Sequence, residues 1–507
     1  MADDMTLTTR TGVVATSNGP VRGYVEDRLC VFKGLRYGAA PVGIHRFKPP
    51  QRPQAWSEVS EAVAYGAPAI QSGLAPGERR SSPGDPPAPD EPASSEDCLF
   101  LNVWTPSVPE KGGLDAEARP VMVWLHGGGF ANGSGGAAMY DGGALARKGD
   151  VVTVTVNHRL NVFGYLHLEE AFGADYALSG IAGMLDIVQA LEWVRDNIAG
   201  FGGNPGDVTI FGESGGGWKV SLLMAMPGAA GLFHKAVIQS GPGLKGARKA
   251  ESAGTAKTLL AELKISTPDE LAALPTAEIS QASVRVPGEM MRLYTPVVDG
   301  VALPRDPFDP DAPEVSAEVP VLIGTNKDEA TLFLLGDPKF GNYDEETLGR
   351  RAQAAAGPKA QALVDALRRA YPDYSPSHLA AAAQTAAGMW LGSITLAERK
   401  AAQGAAPVFM YQLTWETPVA RGRLRCPHAL EIPLVFDNVE KARNFVGRGD
   451  EPQTVADQMS TAWLAFARTG DPGWPAYDAS RRTTMMFDLE SRLVDDPTPE
   501  VRRVLQG

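Results

Sequence analysis

Cysteine is scarce in this chain. Cys30, Cys98 and Cys426 are the three in 507 residues, an odd number without C-x-x-C spacing. That argues against a disulfide framework and against a zinc site, and three reduced thiols are expected. Basic runs are missing as well. With 47 Lys and Arg against 60 Asp and Glu, the net charge is −13, and an acidic surface without a cationic cluster suits solubility and not nucleic acid. No stretch offers the roughly 20 uninterrupted apolar residues of a membrane span. Residues Met1 to Arg10 show no basic segment followed by an apolar core, so no export signal is expected and the expected compartment is the cytoplasm. Neither G-x-x-x-x-G-K-[ST] nor H-E-x-x-H occurs, and Gly200 to Gly206 has the wrong spacing for a dinucleotide loop. No metal or cofactor is implied, and no internal repeat is found.

What remains is ordinary globular material, 44% hydrophobic and 21% charged, with length for a large core. Short apolar runs punctuated by Gly and Pro from Thr11 to Tyr37 read as antiparallel strands. The Pro- and Ser-rich segment 73–95 reads as a surface loop. Arg119 to Leu125 and Val151 to Val156 read as buried strands. In the helix that follows, Leu185, Val188, Leu191, Val194 and Ile198 fall on one face. Residues 344–404 are Ala-rich with helical spacing and read as a helical layer. Strand, helix, strand, helix in this order predicts a doubly wound α/β architecture forming one domain over 1–507.

The run Val208-Thr-Ile-Phe-Gly-Glu-Ser-Gly-Gly-Gly217 ends a strand in Gly-x-Ser-x-Gly and becomes helical at once. This is the outline of a nucleophile elbow that would lift Ser214 above a helix N-terminus. Ala250 to Gly254 repeats the spacing, but no strand precedes it. A serine needs a base oriented by an acid, and on such a sheet these follow in the order acid, then histidine. Of seven histidines, only His378 and His428 lie late enough. His378 starts an Ala-rich helix, whereas His428 lies in a Pro-delimited loop after a strand and is favoured. Asp328 and Glu329 both follow the strand Val321 to Gly324, and spacing does not choose between them. After another strand, Gly127 to Gly129 expose backbone N–H groups which, with that of Gly215, would bind an oxyanion.

Together these segments resemble the type-B carboxylesterases, the cholinesterase and para-nitrobenzyl-esterase-like branch of the α/β-hydrolases. The resemblance rests on Glu96 to Pro106, Trp124 to Phe130, Asn157 to Leu160, Phe201 to Pro205, Phe211 to Gly217, Gly324 to Glu329 and His428 to Pro433. It implies an α/β-hydrolase fold and a serine hydrolase of carboxylic esters. It also implies Ser214, Glu329 and His428 as nucleophile, acid and base, and Gly128, Gly129 and Gly215 as oxyanion donors. Three departures stand out. Gly215 replaces a frequent Ala, which is expected to loosen the backbone. Lys219 replaces a serine expected near the acid, so that supporting hydrogen bond is expected to be rearranged. Cys98 matches a half-cystine of secreted relatives, with no partner cysteine in Tyr65 to Gln71.

The expected partner is a small-molecule ester; monomer and homodimer are equally compatible. A non-catalytic binding or adhesion protein of the same fold is the contrasting reading. Amide or carbamate hydrolysis by the same triad differs only in leaving group. Pocket walls are expected from loops at 73–95, Met290 to Tyr294 and Asn342 to Pro376. Trp218 is a candidate aromatic surface, with a core position as its alternative.

Overall fold

The apolar, β-branched runs in the middle of the chain form the centre of a sheet, because a strand covered on both faces has no need of polar alternation. The computed structural model describes residues 9–72, 90–109 and 118–507. Of the segment anticipated as a surface loop, residues 73–89 lie outside the described residues and residues 90–95 are irregular.

The strands are β1 (Arg10–Ala15), β2 (Pro20–Glu26), β3 (Leu29–Arg36), β4 (Ser60–Glu61), β5 (Phe100–Thr105), β6 (Arg119–Leu125), β7 (Val152–Val156), β8 (Gly203–Glu213), β9 (Lys235–Gln239), β10 (Val321–Asn326), β11 (Val408–Leu413), β12 (Thr483–Phe487) and β13 (Arg492–Asp495). All belong to one sheet, ordered β1-β2-β3-β5-β7-β6-β8-β9-β10-β11-β12-β13, with β4 beside β2. From β7 to β12 every neighbour is parallel. The pairs β1/β2, β2/β3, β3/β5, β5/β7 and β12/β13 are antiparallel, and β4 runs parallel to β2.

Alternate residues feed two cores. Val121, Val123, Ile210, Ile238 and Ile323 belong to one, and Met122, Trp124, Phe211, Val237 and Leu322 to the other, as the twofold side-chain period of a strand requires. Register sets the site: Leu125 pairs with Gly212, Gly212 with Ile238, and Ile238 with Ile323. Parallel strands in this register release their C-terminal loops at one edge, the usual place for a site in such sheets.

The helix Ala182–Asn197 buries Met184, Ile187, Val188, Leu191 and Val194; Leu185 is only partly buried. The stretch Ala174–Phe201 around it is long and apolar enough to cross a membrane by composition, yet 78% of its most apolar window is buried within the protein. Residues 345–403 fold as helices Glu345–Ala356, Ala360–Ala370, Pro376–Thr385 and Leu391–Gln403, with a π-turn at Ala386–Trp390. Two of these helices occupy much of Asn342 to Pro376, where a loop wall was expected. One helical turn, Met290–Leu293, occupies the second expected loop.

Candidate active site

β8 passes into the helix Gly215–Leu223 with Ser214 alone between them, at φ 55° and ψ −122°. An L-residue rarely accepts this conformation. The glycines around it are required by contact. A Cβ on Gly212 would lie 2.6 Å from the carbonyl oxygen of Leu125, and one on Gly216 only 1.9 Å from it. The second Gly-x-Ser-like match lies within the helix Lys249–Leu263 and forms no elbow.

Past the end of β10, Glu329 Oε1 accepts the N–H of Asn326 (2.8 Å), while Oε2 lies 2.6 Å from His428 Nδ1. The adjacent Asp328 turns elsewhere. Its carboxylate accepts Tyr374 O–H (2.7 Å) and the N–H of Cys426 (3.3 Å), and burial raises its pKa to about 6 despite Lys327 nearby. Thr385 Oγ1 accepts the N–H of Ala330 (3.1 Å), on the other side of Glu329. His378 engages Ser375 and the carbonyl of Arg423.

The other ring nitrogen of His428 faces a second carboxylate. Nε2 is 3.1 Å from Glu213 Oε1, without the alignment of a hydrogen bond. Among the described residues Ser214 Oγ makes no hydrogen bond, a looseness common in sites without substrate. Glu431, one turn after His428, accepts the side-chain N–H of Asn326 (2.5 Å) and the hydroxyl of Ser240 (3.3 Å). Burial opposes charge on His428, but Glu213, Glu329 and Glu431 outweigh it and raise the imidazole to about 9. Burial, then Glu329, pushes Glu431 up to about 7.

Across the elbow, the turn after β6 holds Gly128 at φ 81° and Gly129 at φ 64°. The carbonyl of Gly128 accepts the N–H groups of Ala131 (3.2 Å) and Asn132 (3.1 Å). No hydrogen bond from the N–H of Gly128, Gly129 or Gly215 is found among the described residues, so all three are available to a ligand.

Residues 10–501 match the model of the Carboxylesterase family. The chain belongs to this family. It is 35% identical over 508 residues to the para-nitrobenzyl esterase of Bacillus subtilis (strain 168), covering 97% of this chain and 98% of that one. It is 32% identical over 516 residues to the phenmedipham hydrolase of Pseudarthrobacter oxydans, covering 97% of each. Among solved structures, a Geobacillus stearothermophilus carboxylesterase superposes with a TM-score of 0.82 at 39% identity, covering 97% of this chain and 100% of that one. The fold is that of the α/β-hydrolases, and the protein is a carboxylesterase acting on small-molecule esters.

Against this background the two substitutions around the elbow of this carboxylesterase acquire a geometry. Gly215 is not a point of looseness as expected. A Cβ there would lie 2.3 Å from the carbonyl oxygen of Gly129 and 2.5 Å from its N and Cα, so the missing side chain permits close approach of the glycine loop. Lys219 does not approach the acid. It is fully buried, and its Nζ donates to the carbonyl of His126 (2.9 Å) and lies 5.6 Å from the centre of the Phe130 ring. Burial draws this amine down to about 7. The stacked rings of His126 and His158, 4.8 Å apart, are held neutral first by burial and then by Lys219; His126 falls to about 3.

Glu213, Glu431, Ser240 and Phe333 join this site without having been expected there. Glu213 was visible as the variable residue of Gly-x-Ser-x-Gly, and Glu431 as a carboxylate three residues after the candidate base. Phe333 is 52% exposed with its ring 4.8 Å from that of His428, and nothing in spacing marks it. Trp218 is partly buried against the core, edge-on to Phe130. All three cysteines are free; Cys98 and Cys426 are buried.

Proposed function

We propose that this carboxylesterase hydrolyses small to medium carboxylic esters through an acyl-enzyme on Ser214, with His428 as base and Glu329 as acid. The observation that carries the reading is the 2.6 Å contact of Glu329 Oε2 with His428 Nδ1, beside an elbow serine whose hydroxyl makes no hydrogen bond among the described residues. Ser214 Oγ attacks the ester carbonyl and gives its proton to His428 Nε2. Glu329 fixes the ring's tautomer and favours the imidazolium. The negative charge on the former carbonyl oxygen falls to the N–H groups of Gly128, Gly129 and Gly215, each worth roughly 3 kcal/mol in such a role. His428 returns the proton to the leaving alcohol, and water then repeats the sequence on the acyl-enzyme.

The half-exposed ring of Phe333 against His428 supports an apolar wall for the substrate. Ser214→Ala tests the reading. The variant is expected to stay folded and to lose about 10⁴-fold or more of its turnover of a short-chain nitrophenyl ester; undiminished turnover refutes the assignment.

A further inference from the structure

We propose that Lys219 is a positioning residue of the oxyanion hole. Its amine clasps the carbonyl of His126 and so holds the Gly127–Gly129 loop down on the helix that carries the nucleophile, in the space that Gly215 leaves open.

Gly215 and Lys219 are four residues apart on one helix, and residues so spaced share a face. The glycine loop crosses that face. At one end Gly129 comes so near Gly215 that no Cβ fits between them, and at the other the carbonyl of His126 meets Lys219 Nζ at 2.9 Å. Two of the proposed oxyanion donors belong to the loop and the third to the helix. Their separation is therefore fixed by whatever joins loop to helix, and such donors stabilise an oxyanion only when placed to within fractions of an ångström.

The surroundings of the amine leave it this one task. Among the described residues His126 O is the only hydrogen-bond acceptor it reaches, and burial is the sole cause of its lowered pKa, with no carboxylate facing it. The Phe130 ring lies 5.6 Å from it, and the imidazoles of His126 and His158 are near enough to be held neutral in part by its charge. A buried amine without a counter-charge costs stability, so space-filling alone is better served by an apolar side chain. The clasp is indifferent to protonation, because ammonium and amine both present an N–H to the carbonyl.

This inference rests on the esterase reading above. In Lys219→Met, which fills the space but cannot donate, kcat on a nitrophenyl ester is expected to fall at least about tenfold, with KM changed less than about twofold. The affinity of a trifluoromethyl ketone, which mimics the tetrahedral adduct, is expected to fall in parallel. Lys219→Ser is the second clasp-free variant should the first fail to fold. Gly215→Ala is expected to slow the enzyme by lifting the loop against the clasp. Adding Lys219→Met frees the loop to make room, so the double variant is expected to be no slower than the slower single one. An unchanged kcat in both clasp-free variants, a loss confined to KM, or a double variant showing the full product of the two losses overturns the clasp. An inactive parent, or an active Ser214→Ala, breaks the esterase reading and the clasp with it. A Ser214-dependent parent with an unaffected Lys219→Met breaks the clasp alone.

Discussion

Around His428 the protein buries three carboxylates, Glu213, Glu329 and Glu431, whereas the loop after β6 presents glycine backbone supported by an amine that faces no carboxylate among the described residues. The two halves meet at Ser214. In the proposed chemistry a positive charge develops on the imidazole and a negative one on the substrate oxygen. Glu213, Glu329 and Glu431 favour the first, with Glu213 also reaching the glycine loop at Gly127, and the loop N–H dipoles favour the second. Charge separation in the transition state is thus matched by groups already in place, which spares the reorganisation that water would need. The contrast also shows how each half is held: Glu329 by a backbone N–H and the His428 ring, the loop by its close approach to Gly215 and the Lys219 contact with the His126 carbonyl.

The largest break in this contrast comes from Glu329→Gln. It keeps the shape but removes the charge and disturbs the tautomer of His428, and a loss of about 10³–10⁴-fold in kcat is expected with KM nearly unchanged. A fall of less than tenfold, measured under saturating ester, removes Glu329 from the role of acid.

A smaller effect is expected on pH dependence. Only the neutral imidazole accepts the serine proton, so kcat/KM rises with pH, and the crowd of carboxylates places that rising limb above the ordinary histidine value of about 6.5. Glu213→Gln removes one of the charges that raise His428, so its limb is expected at lower pH than the parent's. A limb that stays in place or moves upward contradicts the electrostatic account; a pH–rate profile from 5 to 10 decides it.

The smallest expected effect is on stability. The folded protein lowers the pKa of Lys219 from 10.5 to about 7, so between these values the unfolded chain binds more protons and stability rises with pH. Below about 7 the full cost of the buried charge is present. Lys219→Met is therefore expected to stabilise the fold by about 1–3 kcal/mol at pH 6, and by progressively less towards pH 10. Thermal melts at the two pH values measure this, and a uniform gain or loss would show that the amine's charge is not responsible.

The elbow was legible because its geometry forces a composition. Where Cβ atoms would lie 1.9 Å and 2.6 Å from the Leu125 carbonyl, only glycine fits, and the motif survives in plain letters. The buried strands were legible for a similar reason, since burial on both faces favours runs of apolar and β-branched residues, Thr153 and Thr155 in β7 included. Adjacent residues at a strand end were not. Asp328 and Glu329 share composition and position, and they separate only in space, one towards Tyr374 and Cys426, the other towards His428. For Lys219 the helix position was readable but not the direction, because the partner is a backbone carbonyl and carbonyls leave no mark in a sequence. The helices Glu345–Ala356 and Ala360–Ala370, anchored by Leu348, Leu363 and Leu367, were legible as part of the Ala-rich helical region 344–404, because Ala favours helix and the leucines recur at helical spacing.

Residue 329 sits between two tethers from the helical layer, Tyr374 O–H on Asp328 and Thr385 Oγ1 under the N–H of Ala330. A displacement of Thr385, at the end of the helix Pro376–Thr385, or of Tyr374 just before it, is therefore expected to move the residues on either side of Glu329. Segment grafts in this layer intended to widen substrate scope therefore also alter the alignment of Glu329, and libraries that leave Tyr374 and Thr385 untouched should retain a larger share of active members.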